Sequence, residues 1–214
     1  RADLNSLQIL TDFAINFGKA FQLKDDLEDN EIAKDQIKEI KDTIQNLVRD
    51  CNTTLDKIKT INKNSLNNLR LKTIPKYLFA NINSLQKVEI PQSIKKIDNF
   101  AFHNCTGLKE IIIPKSVVDI GEYVFRNCTS LTKVTFEEQS LIKKIPREMF
   151  KGCISLETVE LSKEITNIDW WAFQECKSLK NIVFPSSLQT IDREAFKNSG
   201  LEYVDIPANV YSIG

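Results

Sequence analysis

Residues 84–105 read SLQKVEIPQSIKKIDNFAFHNC, and residues 107–128 read GLKEIIIPKSVVDIGEYVFRNC. Laid over one another, they match at Leu85/Leu108, Val88/Ile111, Ile90/Ile113, Pro91/Pro114, Ile97/Ile120, Phe102/Phe125 and Cys105/Cys128. Working outward, 130–153, 155–176 and 178–199 fall into the same frame, and 200–214 starts another copy. An abbreviated copy, SLNNLRLKTIPKYLF, begins at Ser65. The anchor residues are Phe79, Phe102, Phe125, Phe150, Phe173 and Phe196, each 23 residues apart except for one step of 25. The long step places a two-residue insertion near Glu137–Leu141. A fixed period of this length is the signature of a stacked repeat.

Each copy has a physical reading. Leu-x-x-Val-x-Ile puts Val and Ile two apart, on one face of a short strand. The following Pro has no N–H to donate and ends the ladder. A second apolar pair, Ile94 and Ile97 in the first full copy, starts a return leg, and Ala-Phe plugs the interior. No copy can bury its apolar face alone, so the copies must stack into a solenoid with one continuous core. The chain begins at Arg1 and breaks off within a copy at Gly214, so further sequence is expected at both ends.

Composition narrows the function classes. The 214 residues carry 29 basic and 29 acidic side chains, 42% hydrophobic residues and one His. A net charge of zero argues against a nucleic-acid binder working by bulk electrostatics. No apolar run is long enough for a transmembrane helix. His103 alone would have to serve any Ser-His-Asp triad or His-based metal site. With six Gly, there is neither GxGxxG nor GxxxxGK[ST] to cradle phosphates.

The first part of the chain has another period. Ile37, Ile40, Ile44, Leu47, Val48, Cys51, Leu55 and Ile58 fall in three- and four-residue steps, one apolar stripe on a helix. Asp3–Leu27 is also helix-like, with no Pro and apolar residues around most of its circumference. The expectation is a helical hairpin over 1–63, broken near Asp29-Asn30, followed by a β-solenoid over 64–214. The fold class is therefore α+β.

Two sets of positions bear on function. Cys105, Cys128, Cys153 and Cys176 recur in register without CxxC pairs, and Ile82 fills the same slot in the first copy. That slot reads as small buried bulk rather than a metal or redox site. Two residues before each anchor stand Tyr77, Phe100, Tyr123, Glu148, Trp171 and Glu194, with Trp170 adjacent. Four aromatics in six copies either pack along the solenoid's flank or meet a partner, as Tyr and Trp do at hot spots. Tyr77, Phe100, Tyr123, Trp170 and Trp171 are thus the candidate partner-binding residues. The outward strand positions Glu89, Ile112, Thr135, Glu160, Val183 and Asp205 carry no field of one sign. Asn52, Asn104 and Asn127 fit N-x-[ST], but two of them belong to the repeat frame.

The repeat resembles the BspA-like leucine-rich repeats, Leu-x-x-Ile-x-Ile-Pro-x-x-Val-x-x-Ile-x-x-x-Ala-Phe-x-x-Cys, over residues 65–214. The resemblance implies a curved solenoid used for protein binding or adhesion, often on the surface of host-associated microbes and protists. It implies no catalysis and no cofactor.

The acidic string NFGKAFQLKDDLEDNE (16–31) is separate. Asp25 and Asp29 share a helix face with Asp26 beside them, where water or a divalent cation must offset their repulsion. The wider pattern, Phe17-Gly18-x-x-Phe21-Gln22-x-x-Asp25-Asp26-x-x-Asp29, resembles the second aspartate-rich motif of trans-prenyl diphosphate synthases. That resemblance implies Mg²⁺ held by Asp25, Asp26 and Asp29 against a diphosphate ligand, and a cytoplasmic setting. The first aspartate-rich motif, the paired arginines and the isopentenyl-diphosphate lysine have no counterpart in the chain. One metal-binding wall does not make a prenyl transferase, so the expectation leans away from an enzyme. The helices then serve as a cap on the solenoid or as the tail of a longer enzyme.

Overall fold

The computed structural model describes residues 60–61 and 72–214. The helical hairpin expected over 1–63, with Asp25, Asp26 and Asp29, lies outside the described residues except for Thr60–Ile61, which form a strand rather than a helix. The chain divides into units Arg1–Ile58 and Lys59–Gly214, and the second is described here.

This unit is built from parallel strands, one repeat apart except that β1, which precedes the abbreviated copy at Ser65, pairs its Thr60 with Lys87. Five line the first side: β1 (Thr60–Ile61), β3 (Lys87–Val88), β5 (Glu110–Ile113), β7 (Lys133–Phe136) and β9 (Thr158–Glu160), paired in that order. Glu110 lies opposite Lys133 and Ile113 opposite Phe136, so like positions of successive copies sit side by side. β5 alternates exposed and buried residues along its length, as the Leu-x-x-Val-x-Ile frame requires. After it Pro114 ends the ladder, and its carbonyl accepts from Val117 N–H at 3.0 Å to turn the chain.

The return legs form a second side, which is interrupted. β2 (Thr73–Ile74), β4 (Lys96–Ile97) and β6 (Asp119–Ile120) make a three-stranded sheet. β8 (Lys144–Ile145), β10 (Asn167–Ile168), β11 (Thr190–Ile191) and β12 (Ser212–Ile213) make a four-stranded one. Elsewhere the residue after the second Ile donates its N–H to the Ile one copy earlier, as Asp98 does to Ile74 (2.9 Å), Gly121 to Ile97 (2.8 Å) and Asp169 to Ile145 (2.9 Å). Pro146 occupies that position after β8 and has no N–H to give, so β6 and β8 stay unpaired. The two-residue insertion also falls here, with Gln139 at φ 65°.

The third side consists of stacked turns. Half of its amides close turns within a copy, as Ala80 N–H to Tyr77 O at 3.0 Å. The other half reach the next copy, as Tyr77 to Asn99, Phe79 to Ala101 and Asn81 to His103. This alternation needs left-handed backbone two residues before and two after each anchor Phe. Tyr77, Phe100, Tyr123, Glu148, Trp171 and Glu194 all have φ between 51° and 61°. Asn81, Asn104, Asn127, Gly152, Glu175 and Asn198 form the matching column. Asn tolerates this region well, whereas an aromatic is an unusual occupant.

The core is the phenylalanine spine foreseen from the period. Phe79, Phe102, Phe125, Phe150 and Phe173 are wholly buried. Successive rings stack with centroids 5.2, 5.4, 5.8 and 5.3 Å apart, and Phe196 continues the stack at 5.1 Å from Phe173. Ile94 and Ile97 are buried as expected.

Cys105, Cys128, Cys153 and Cys176 are free and buried, and Ile82 in their slot is buried too. The thiols do more than fill space. Each donates to the carbonyl of the anchor Phe one copy back: Cys105 to Phe79 (3.0 Å), Cys128 to Phe102 (3.2 Å), Cys153 to Phe125 (3.1 Å) and Cys176 to Phe150 (3.2 Å). Burial pushes the Cys105 and Cys153 thiols up to about 12 and the other two well above the ordinary range. Such thiols stay protonated and inert.

Candidate interaction surface

The turn side carries the aromatic column. Tyr77 and Phe100 stack at 4.8 Å, and Phe100 and Tyr123 at 4.4 Å and 6°. His103 meets the edge of Phe100 at 5.6 Å, and burial, with Arg126 nearby, lowers its pKa. Flank packing therefore accounts for the faces of these rings, and their edges remain half-buried at the surface.

At Glu148 the ring is missing, and a cation takes its place. The Arg147 guanidinium lies 5.8 Å from the Tyr123 ring centroid and 4.9 Å from that of Trp171, so the stack continues through it. Arg126 lies 6.0 Å from Tyr123 and Lys151 5.5 Å from Trp171. Beneath them Glu148 is 5% exposed and faces all three cations: Arg126 at 3.1 Å, Lys151 at 3.4 Å and Arg147 at 3.6 Å. A lone buried carboxylate would be costly, and the surrounding cations offset that cost.

Trp171 is fixed by its Nε1–H, which donates to Glu194 Oε2 at 2.9 Å. That bond and the Lys197 ammonium at 3.0 Å hold the Glu194 carboxyl below its usual range. Trp170 packs edge-on to Trp171 at 6.0 Å and stays 48% exposed. Of the five aromatic candidates, Tyr77, Phe100, Tyr123 and Trp171 thus stand in one column, with Trp170 beside its far end.

The first side offers a different surface. Ile112 and Val183 project outward and are 56% and 78% exposed. A groove of about 630 Å³ lies over Lys87, Glu89 and Ile112, and another of about 670 Å³ over Thr158, Glu160 and Val183. The charges along it pair with one another: Lys87 with Glu89 at 2.8 Å, Lys133 with Glu160 at 2.7 Å and Lys180 with Glu202 at 2.7 Å.

Among the described residues no group of three or more His, Cys, Asp or Glu is placed to hold a metal ion. No helix there is long and apolar enough to cross a membrane. Asn104 donates from its side chain to Asn81 at 2.9 Å within the left-handed column, which leaves its sequon a structural role. The cluster around Glu148 went unread in the sequence. Its only signal was that Glu148 interrupts the column where Arg147 precedes it and Lys151 follows one turn on.

The BspA type Leucine rich repeat region profile matches in six copies, over residues 18–141, 72–170 and 106–214. Among solved structures, a leucine-rich repeat protein from Bacteroides ovatus is 29% identical, with a TM-score of 0.58 over 77% of this chain and 46% of its own. Another, from Eubacterium ventriosum, is 26% identical, with a TM-score of 0.52 over 65% of this chain and 44% of its own. The chain thus spans less than half the length of either. No curated protein matches it.

Proposed function

The chain belongs to the BspA-type leucine-rich-repeat family, and on that premise we propose that its repeats recognise or adhere to another protein through the aromatic flank. The observation that carries this reading is Trp170, half exposed beside an indole that is already fixed in place. A large amphipathic side chain on a rigid support loses little entropy when a partner covers it, which is what a binding hot spot requires. The exposed strand residues Ile112 and Val183 are aliphatic and lie among charges already neutralised by their neighbours. A photoreactive amino acid in place of Trp170 should form adducts with a partner protein in cell extract, and one in place of Ile112 should form none. Adducts from position 112 alone would move the function to the strand face and sink the flank reading.

A further inference from the structure

The charges of this neutral chain are not spread evenly over its sides. The outward positions of the Leu-x-x-Val-x-Ile strands carry six carboxylates against the four lysines Lys87, Lys109, Lys133 and Lys180. Along the aromatic column of the turn side the balance reverses. The residues at the column, just before it and just after each anchor Phe include Lys76, Arg126, Arg147, Lys151, Arg193 and Lys197. Glu122, Glu148 and Glu194 oppose them at these positions, and Glu175 in the neighbouring left-handed column is a fourth carboxylate on this side.

The excess is concentrated at one place. Glu148 serves three cations, and a carboxylate offers about four lone-pair sites where two guanidinium groups and an ammonium present about thirteen N–H donors. Among the described residues the buried Nε–H groups of Arg126 and Arg147 make no hydrogen bond, and Arg147 Nε is the atom that lies 3.6 Å from Glu148. The side chains of Arg126, Arg147 and Lys151 nevertheless stay partly open to solvent, at 33%, 39% and 26% exposure. The rings beside them are stacked, so Tyr123 and Trp171 offer edges rather than faces. A ring's edge is its electropositive part. Cations, ring edges and the exposed Trp170 together favour an anion with an apolar group next to it.

We infer that the patch formed by Tyr123, Arg126, Arg147, Lys151, Trp170 and Trp171 binds an acidic polypeptide segment of the partner. Carboxylates of the segment pair with Arg147, Arg126 and Lys151, and an adjoining apolar side chain rests on Trp170. Planar guanidinium groups suit carboxylates, which they can bind in bidentate fashion. The cations are interrupted by Glu122, Glu148 and Glu194, whereas a uniform polyanion such as a sulfated glycan calls for a field of one sign. The inference rests on the flank reading and gives the partner its chemistry.

The probe is a short fluorescein-labelled Glu/Asp-rich peptide with a central Leu, followed by fluorescence polarisation with the full chain. It should bind, and affinity should fall with added salt. The Gln/Asn version of the peptide should bind at least about tenfold more weakly, the loss of one charge-assisted hydrogen bond. Arg147→Gln/Glu148→Gln/Lys151→Gln should weaken binding by a similar factor. That triple change removes the buried carboxylate together with two of its cations and leaves Arg126, which is one-third exposed and keeps an amide oxygen in place of the carboxylate, and circular dichroism checks that the fold survives. Lys87→Gln/Lys133→Gln on the strand face should leave binding unchanged.

Equal affinity for the Gln/Asn peptide, or for the triple variant, would overturn the inference. Tighter binding of a heparin oligosaccharide than of the peptide would do the same. So would concentration-dependent self-association of the parent that the triple change abolishes, since the occupant would then be a second copy. Adducts at position 170 without peptide binding would refute the acidic partner and leave the flank reading standing, whereas no adducts at 170 would remove both.

Discussion

Replacing Phe150 by Ala tests the spine at its centre. The ring is wholly buried and stacked on both sides, 5.8 Å from Phe125 at 4° and 5.3 Å from Phe173 at 20°. Burying a Phe side chain is worth about 1.5–3 kcal/mol, and each stacked neighbour adds about 0.5–1.5 kcal/mol. Truncation also leaves a cavity that neighbouring turns, tied by backbone bonds such as Phe150 N–H to Ala172 O at 2.8 Å, cannot readily close. The expected loss is about 3–5 kcal/mol, the range for a core aromatic cut to Ala. Phe196 supplies an internal control. It is only half-buried, and its contacts are one stack with Phe173 and an edge contact with Phe184 at 5.8 Å, so Phe196→Ala should lose clearly less. Equilibrium urea unfolding, followed by the fluorescence of Trp170 and Trp171, measures both. An unchanged m-value shows that one cooperative transition is being compared. A Phe150→Ala loss below about 1 kcal/mol, or one no larger than that of Phe196→Ala, would refute a continuous load-sharing ring stack.

Three further outcomes follow from the packing. The four buried thiols have raised pKa values in the folded chain, so the native state holds its protons more tightly than the unfolded one. Their stabilisation is complete below about pH 8.5. It is lost as pH climbs toward about 12, at about 1.4 kcal/mol per pH unit for each thiol. Urea midpoints should fall from pH 8 to pH 10 and fall less in a Cys153→Val chain, and equal slopes would contradict the assignment. Gly121→Ala should destabilise by about 1–3 kcal/mol, because a Cβ there would collide with the Asn99 backbone nitrogen at 2.5 Å and with its side-chain oxygen. Thermal melts should show no rescue by Asn99→Ala, since the backbone clash would persist. Finally, amide exchange at Lys144 should outpace that at Asn167, because Asn167 N–H donates to Lys143 O at 3.3 Å whereas β8 has no partner on its β6 side. Equal protection would mean that the sheet is not broken there.

Much of the solenoid could be read from residue spacing. A 23-residue frame with apolar side chains two apart leaves one face of each copy unsatisfied, and only lateral stacking can bury it. That logic located Phe79 to Phe173, Ile94, Ile97 and the cysteine slot in the core, where they lie. It also placed Tyr77, Phe100, Tyr123 and Trp171 in one column, because residues one repeat apart become neighbours.

What those neighbours do to one another was decided by the tertiary structure. Local preference disfavours an aromatic at positive φ, yet the turn side requires left-handed backbone at Tyr77, Phe100, Tyr123 and Trp171 so that alternate amides reach the next copy. The thiol-to-carbonyl bonds join residues such as Cys105 and Phe79, which meet only once the copies are stacked. The same holds for Arg147, which enters the ring stack because Glu148 vacates it and neutralises the charge from below. Pro146 marks the break between β6 and β8 only once it is known that its position must donate an N–H. Periodicity therefore determined which residues share a side of this protein. The backbone hydrogen bonds between copies determined how each side is finished, because they join atoms a full repeat apart and no local sequence signal reports them.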